Sequence, residues 1–527
     1  MATTANEVSQ IVATPFTNTP LTDFTKEENI RAQEEALRKL AAEFGKTYPL
    51  IIAGEKRMTG ATFASTNPAN PSQTLATFAK AGVAEANEAV EAAHKRFKTW
   101  QYTPAEERAG YLFAAAKKLR ERRFEFNAIE IYEVGKSWVE ADADVAEGID
   151  FLEFYGREAL RLAEKQPITP LPGEENELLY IPLGVGAIIP PWNFPGAIMM
   201  GLTSSALVAG NTVVLKPASA SPWIAAAFVE LLEEVGVPAG VVSFTPGSGE
   251  TMGDALTLHP LTRFISFTGS REVGLRINEM AAKPQPGQIW VKRAILEMGG
   301  KDAIVVDETA DLDAAATAIV ASAFGFQGQK CSACSRAVLV DSVYDQVIEK
   351  VVERARALSV GDPADRATYM GPVVDASAQR KILDYITVGK EEGKLLLGGE
   401  KLDREGYFIQ PTIFGEIKPS ARIAQEEIFG PVLACIRAKD FDEALDIANG
   451  TEFGLTGSFF STDRERIERA RREFHVGNLY FNRKSTGAMV GAHPFGGFNM
   501  SGTDSKAGGR DYLLLFTQAK AVSEKIS

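Results

Sequence analysis

A single thiol sets the chemistry open to this chain. Cys331 lies in Phe324-Gly-Phe-Gln-Gly-Gln-Lys-Cys-Ser-Ala-Cys-Ser-Arg336, close to Gly328, Lys330 and Ser332. A thiolate attacks carbonyl carbon well. A free thiol, with a pKa near ~8.5, is mostly protonated at neutral pH, so a reactive cysteine needs an activating site. The second candidate is Glu297 in Leu296-Glu-Met-Gly-Gly-Lys301, between an apolar residue and a glycine pair. Glutamate is uncommon there unless it is paired or working as a base. The third is Asn193 in Pro190-Pro-Trp-Asn-Phe-Pro195, where three prolines fix the backbone. A fixed side-chain amide is a good donor to a developing oxyanion. Each also has a plainer reading. A free cysteine is usually a small buried hydrophobe, and an Asn in a proline loop can simply cap a turn.

Such groups must be held by a frame. The apolar, alanine-rich run 312–326 reads as a buried helix and 337–340 as a strand, which puts Cys331 in a helix-to-strand loop where it can face a cleft. Short apolar strands at 186–189, 212–215, 241–245 and 264–267 alternate with helices at 197–208, 222–235 and about 250–257. The alternation resumes after Glu297 with a strand at 303–306, a helix, the strand at 337–340 and a helix at 342–357. The fold class expected is α/β, with two doubly wound parallel-sheet domains meeting near residue 296. Upstream, an arm or first helix is expected within 23–45, two amphipathic helices within 83–134 and another over 138–163. Pro167, Pro170, Pro172 and Gly173 mark an irregular excursion, with strand signal returning at 178–181, and the tail from about 505, with its apolar run 512–516, reads as a late strand or arm.

Two glycine turns sit at strand ends. Gly247-Ser-Gly249-Glu-Thr-Met-Gly253 misses the Gly-x-Gly-x-x-Gly spacing by one residue, and Phe267-Thr-Gly269-Ser270 is followed by Gly274. Unpaired amides and the dipole at such helix starts attract phosphate. One such turn often means only a tight bend; two on consecutive strands of one sheet point to a nucleotide. Cys331 and Cys334 form a C-x-x-C pair, but no second Cys or His pair at ligand spacing accompanies it, so no metal is expected. A redox disulfide would tie up the nucleophile, and Cys334 is read as structural.

The chain of 527 residues is too long for one core. Its net charge of -13 argues against a nucleic-acid or membrane partner, either of which would need a basic face. Three cysteines cannot build a disulfide framework, and the first twenty residues resemble neither a secretory signal nor a transit peptide, so a cytoplasmic location is expected. The uncharged stretch 178–215 is broken by Pro182, Pro190, Pro191 and Pro195, which leaves no unbroken helix of about 20 residues to span a bilayer.

Taken together, Pro191-Trp-Asn-Phe-Pro195, Lys216-Pro217-Ala218, Phe267-Thr-Gly-Ser270, Glu297-Met-Gly-Gly-Lys301, Gly328-Gln-Lys-Cys331, Glu426-Glu-Ile-Phe-Gly-Pro431 and Pro494-Phe-Gly-Gly497 resemble the NAD(P)-dependent aldehyde dehydrogenase superfamily, in its order. The resemblance implies an atypical Rossmann sheet and a small β oligomerisation arm. It implies Cys331 as nucleophile, Asn193 and the Cys331 N–H as oxyanion donors, and Glu297 as base for thioester hydrolysis. Lys216 and Glu427 would hold cofactor ribose hydroxyls, with Phe429 beside the nicotinamide ribose. Ile189, Pro191, Trp192, Ala218, Ser219, Gly247, Gly249, Phe267, Gly269, Ser270, Met298 and Gly299 would line the rest of the cofactor path. NAD is the expected cofactor, with some NADP use, because Ser219 stands where several members carry Glu.

The implied domains are 1–164, the helical part of the cofactor domain; 165–185, a first arm segment; 186–295, the NAD-binding sheet; 296–504, the catalytic domain; and 505–527, a second arm. A homo-oligomer, dimer or dimer-based hexamer, is expected. Phe326-Gln-Gly-Gln-Lys-Cys-Ser332, Gly477-Asn-Leu-Tyr-Phe-Asn-Arg-Lys484, Thr486-Gly-Ala488 and Glu147 are similar to the branch that oxidises glutamate γ-semialdehyde to glutamate in proline breakdown. Another acid semialdehyde, such as succinate semialdehyde, is the alternative. In that branch Ser332, Gly487 and Ala488 would hold the α-carboxylate, Glu147 would face the α-ammonium, and Phe194 and Phe495 would box the stem. Lys330 is counted with them as a cation that could bias the thiol toward thiolate, with a solvated lysine as the equal alternative. Without the family, Glu147 reads as a solvated helix glutamate.

Overall fold

Strands of Val, Ile, Leu and Phe with no polar face must be covered on both sides, and the helices between them do this. The computed structural model describes residues 3–526. Its first seven-stranded sheet has the order Arg293–Glu297, Thr262–Thr268, Val185–Ile189, Thr212–Leu215, Val242–Phe244, Leu50–Ile52, Glu55–Arg57. The first five strands run parallel, and the last two add antiparallel at the edge. From Val185–Ile189 the chain builds outward on one side, then returns to the other flank at Thr262–Thr268. That reversal is a topological switch point, where a crevice opens beyond the C-terminal ends of the strands.

The second seven-stranded sheet has the order Lys394–Leu397, Thr412–Gly415, Val432–Ala438, Cys334–Val340, Asp302–Val306, Thr456–Phe460, Asn478–Phe481, parallel except at its first pair. Glu297 ends an edge strand of the first sheet and Asp302 begins a strand of the second. This short link sets the C-terminal edge of one sheet against the N-terminal edge of the other. Cys331, just ahead of Cys334–Val340, lies at that seam. The crossing from one sheet to the other runs from Glu297 to Asp302.

Several elements differ from expectation. Residues 83–134 form three helices, Val83–Trp100, Ala105–Glu121 and Arg123–Val134, because the chain turns again at Arg122 with no proline or glycine to announce it. The N-terminal part is not only helical. It carries the strands Lys46–Tyr48, Thr62–Asn67 and Asn70–Ala79 in a three-stranded sheet, and the hairpin that extends the first large sheet. That hairpin turns through Ala53 and Gly54 at φ 56° and 84°, both left-handed as a tight two-residue turn requires. Tyr512–Phe516 is a 3₁₀ helix rather than a strand, with Tyr512 stacked on Tyr155 at 5.3 Å. The strand follows at Thr517–Lys525 and pairs antiparallel with Glu174–Pro182. Among the described residues no helix is long and apolar enough to cross a membrane. The uncharged stretch instead supplies the buried strands Val185–Ile189 and Thr212–Leu215 and the buried helix Ala197–Val208.

Helix Trp138–Ala163 spans 26 residues as expected, and Glu140, Asp144, Glu147 and Phe151 recur along it at one-turn spacing on the face toward the seam. Within the first sheet Gly186 pairs with Phe264, and a Cβ on Gly186 would lie 2.1 Å from the Phe264 ring. Gly186→Ala should therefore destabilise the fold by about 1–3 kcal/mol through overpacking. An unchanged denaturant midpoint would show that the strand pair yields more easily than its packing indicates.

Candidate active site

The nucleophile loop is held under strain. Helix Leu312–Phe324, capped by the Asp311 side chain, gives way to a 3₁₀ turn in which Phe326 and Gln327 adopt φ 48° and 57°. Left-handed non-glycine residues cost about 1–3 kcal/mol each and persist only where the surroundings hold them. Gln327 Nε2 donates to Gly135 O at 3.0 Å and to Pro372 O at 2.8 Å. Gln329 Oε1 accepts from Val374 N at 3.0 Å. Gly328 is obligatory here, since a Cβ would lie 2.3 Å from Gly430 O. The loop then presents Cys331, partly exposed and free.

Asn193 is buried in the proline loop at the end of Val185–Ile189, and its Nδ2 donates to Gln329 O at 3.1 Å. An amide nitrogen carries two hydrogens, so one remains for a second acceptor. The Cys331 N–H donates to no backbone acceptor among the described residues. Glu297 closes the other side. Its Oε1 accepts from Ser505 Oγ at 2.6 Å and Ser505 N at 3.3 Å, and its Oε2 from Gly497 N at 3.2 Å. Burial pushes the Glu297 carboxyl up to about 7, with these hydrogen bonds holding it back. The thiol of Cys331 is pushed well above its ordinary range by burial, then by the carboxylates of Asp302, Glu427 and Glu297.

Lys330 requires a correction. Its Nζ lies 2.6 Å from Glu140 Oε2, so the ammonium is ion-paired, and it does not line the cavity in front of Cys331. It neither faces a substrate there nor offers the sulfur a free positive charge.

That cavity, of about 110 Å³, brings together Cys331, Ser332, Glu297, Met298, Glu147, Phe194, Gly487, Ala488 and Phe495. Glu147 is not a solvated helix residue. Burial, and then the Asp144 charge, push its carboxyl up to about 8. Gly487 is left-handed at φ 77°. Arg483 Nη2 donates to Thr486 O at 3.1 Å and Gly487 O at 2.9 Å, which ties up the carbonyls of this turn. The N–H groups of Gly487 and Ala488 meet no backbone acceptor among the described residues, so they are free to receive an anion. Phe151, Tyr155 and Tyr512 also line the cavity and were not foreseen; periodicity along helix Trp138–Ala163 marks Phe151 and Tyr155 only as apolar core. Nothing in sequence spacing announces Ser505 as the partner of Glu297.

The remaining candidates lie along the crevice at the strand ends. Lys216 follows Thr212–Leu215, and its buried Nζ donates to Pro217 O at 3.1 Å and Gly247 O at 3.3 Å. Burial pulls its ammonium down to about 8. Ala218 and Ser219 follow it, half-buried and exposed. Ile189 ends the strand that leads into Pro191 and Trp192. Gly269 N donates to Glu297 O at 3.0 Å, Ser270 caps helix Arg271–Ala282, and a Cβ on Gly269 would lie 2.5 Å from the Phe267 ring. Gly247 bridges to Ala81, while a Cβ on Gly249 would meet no atom within 4 Å. From the second sheet, Phe429, left-handed at φ 60°, meets Trp192 edge-on at 5.5 Å. Glu427 Oε1 accepts from Gly300 N at 3.0 Å, and a Cβ on Gly299 would lie 2.4 Å from the Glu427 carboxylate.

A crevice at a switch point leads to a cavity lined by a thiol and a buried carboxyl group, with a side-chain amide that keeps a spare hydrogen on the neighbouring proline loop, an arrangement able to work on carbonyl carbon. Residues 56–522 match the model of the aldehyde dehydrogenase family, and the chain belongs to that family. It is 60% identical over 510 residues to a 1-pyrroline-5-carboxylate dehydrogenase of Geobacillus sp. (strain WCH70), covering 97% of this chain and 99% of the relative. It superposes on a crystal structure of 1-pyrroline-5-carboxylate dehydrogenase from Thermus with bound NAD at TM-score 0.96, with 56% identity, covering 97% of this chain and 99% of that one. A betaine aldehyde dehydrogenase of Staphylococcus aureus in complex with NAD+ is more distant, at TM-score 0.87 and 28% identity, covering 94% and 98% of the two chains.

The charge pattern around Cys331 predicts its reactivity. Without cofactor, alkylation by iodoacetamide at pH 7 should be slow and rise toward alkaline pH, because burial, and then the neighbouring carboxyl charges, hold the proton on sulfur. Glu297→Gln removes one of those charges and should speed alkylation at pH 8. Fast, pH-independent labelling of residue 331 across pH 6–9 would contradict this electrostatic account.

Proposed function

We propose that this protein oxidises glutamate γ-semialdehyde, the open form of 1-pyrroline-5-carboxylate, to glutamate with NAD as oxidant. The observation that carries the reading is one cavity lined by Cys331 and Glu297 and also by the Gly487–Ala488 turn and Glu147. An amino-acid semialdehyde needs an anion nest for its carboxylate and a carboxyl group that can ionise beside its ammonium; the Gly487 and Ala488 N–H groups fit the first need and Glu147 the second. Phe194 and Phe495 supply apolar walls for the aliphatic stem, and Ser332 a hydroxyl beside the nest.

The crevice residues fit a dinucleotide. Lys216 has only carbonyl partners, Glu427 has a free carboxylate oxygen, and open space surrounds Gly249. Lys216 and Glu427 would hold ribose hydroxyls, Trp192 and Phe429 would flank the path, and Gly247, Gly269 and Ser270 would receive the phosphates. NAD bound there supplies the hydride acceptor that carries the Cys331 adduct from thiohemiacetal to thioester. The protein's own residues do the rest. Cys331 Sγ gives its proton to solvent water and bonds to the aldehyde carbon, whose C=O π pair moves onto oxygen, and the Asn193 amide and Cys331 N–H receive that oxygen as it gains charge. Glu297, ionised above about pH 7, then takes a proton from the water that attacks the thioester. Exposed Ser219 offers neither a carboxylate to repel a 2′-phosphate nor a cation to bind one, which supports NAD preference with some NADP use. The nine-pair ribbon of Glu174–Pro182 with Thr517–Lys525 leaves two open strand edges, and we assign it to exchange between subunits of a homo-oligomer, at least a dimer. Three free thiols fit a cytoplasmic location.

An aldehyde panel with both cofactors tests the substrate. Glutamate semialdehyde should surpass succinate semialdehyde, which lacks the ammonium group, by about tenfold or more in kcat/KM. Glu147→Gln should shrink that ratio; equal use of both aldehydes by the wild type would sink the assignment. Cys331→Ala should bind NAD and form no NADH. Single-turnover thioester hydrolysis should rise with pH through about 7 as Glu297 loses its proton. Glu297→Gln should accumulate acyl-enzyme, and normal steady turnover in that variant would refute the base assignment.

A further inference from the structure

We propose that Lys136 is a positioning residue that holds the Asn193 loop in register with the Cys331 loop; the inference rests on the oxyanion role given to Asn193 above. Lys136 is fully buried and follows Gly135, which ends helix Arg123–Val134 in the left-handed conformation at φ 74°. Its Nζ lies between two aromatic rings, 4.5 Å from the centre of Phe194 and 5.0 Å from that of Phe326. Phe194 is the neighbour of Asn193 in the proline loop. Phe326 is the first strained residue of the turn that leads to Cys331. One ammonium thus draws together a ring from each catalytic loop.

The ion cluster behind it braces the same two loops. Lys136 pairs with Asp144 and, at 3.1 Å, with Glu130. Asp144 Oδ1 accepts from Ala197 N at 2.5 Å, which fixes the start of the helix that follows the proline loop. A Cβ on Gly196 would lie 2.4 Å from Glu130 Oε1, so the loop closes directly onto this cluster. On the other side, Gly135 O receives Gln327 Nε2 from the nucleophile turn. Burial and then the Asp144 charge push the Glu130 carboxyl up, with Lys136 opposing them. Lys136 lines no part of the substrate cavity. A hydrophobic residue could fill this volume without the desolvation penalty of a buried charge, but it could not attract two ring faces.

The test compares turnover with thiol reactivity in the full-length protein, with NAD and glutamate semialdehyde as probes. Lys136→Met should lower kcat by ~30-fold or more, leaving KM within ~3-fold and NAD binding unchanged, as loss of an oriented oxyanion donor would. Alkylation of Cys331 by iodoacetamide builds no carbonyl oxyanion and should stay within ~2-fold of wild type; a general loosening of the fold would change alkylation and NAD binding together. In an Asn193→Ala background, Lys136→Met should cost no more than a further ~2-fold, because both changes remove the same interaction. Where Lys136→Met does not fold, Lys136→Met/Asp144→Asn removes the counter-charge, keeps the acceptor for Ala197 N, and should show the same pattern. Fully multiplicative losses in the Asn193 background, or wild-type kcat in either variant, would overturn the proposal. Failure of the underlying reading is separate: Asn193→Ala alone would then keep its kcat.

Discussion

The whole site depends on one geometric constraint, the short link between Glu297 and Asp302. Glu297 ends a strand of the first sheet and Asp302 starts one of the second. Too short to span a cleft or fold away, the link forces the C-terminal edge of one parallel sheet against the N-terminal edge of the other. The first edge carries glycine turns and the proline loop, the furniture of a nucleotide crevice. The second carries the thiol. Neither sheet alone has a site; their seam has one, and Gly299 and Gly300 are needed because Glu427 and Cys331 come against the link's backbone.

The electrostatics of the seam follow from how dry it is. Cys331, Glu297, Glu147 and Lys216 are all moved by burial toward their neutral forms. A site of neutral groups is cheap to bury and poised rather than active. In the function proposed above, Glu297, raised to about 7, would sit near the pH at which a base is most useful, and Glu147 would ionise against an incoming cation. Burial first, and the neighbouring acidic groups second, keep the proton on the resting thiol, so reactivity depends on what enters the crevice and the cavity rather than on a neighbouring lysine. Lys330, adjacent in sequence, is spent on Glu140.

Most of this frame is legible in the chain, because parallel sheets write themselves as short apolar runs between helices. Helix Ala197–Val208 and strand Thr212–Leu215 are readable to the residue, and the candidate residues reappear around one cavity and one crevice. What is not legible is whatever depends on pairing across long separations. The N-terminal hairpin joins the first sheet through a three-residue strand, too short to stand out from loop. Tyr512–Phe516 has strand composition but lies where stacking on Tyr155 and burial favour a 3₁₀ turn. Ser505 finds Glu297 across 208 residues. Lys330 looks like a cation beside a thiol until the helix bearing Glu140 is placed next to it.

That helix, Trp138–Ala163, explains how selectivity and chemistry can share so small a space. Glu140, Asp144, Glu147 and Phe151 follow one another at turn intervals, and each meets a different part of the site: Lys330 before the nucleophile, the start of helix Ala197–Val208, the cavity beside the Gly487–Ala488 turn, and the cavity wall. A straight helix is stiff over 26 residues, so these contacts cannot move independently. The strained turn at Phe326 and Gln327 is held just ahead of this helix, where Gln327 Nε2 donates to Gly135 O and to Pro372 O. The helix therefore serves as a ruler between the loop that carries the thiol and the loop that carries the amide. Moving either one by a turn would break an ion pair or a helix cap as well as the active site.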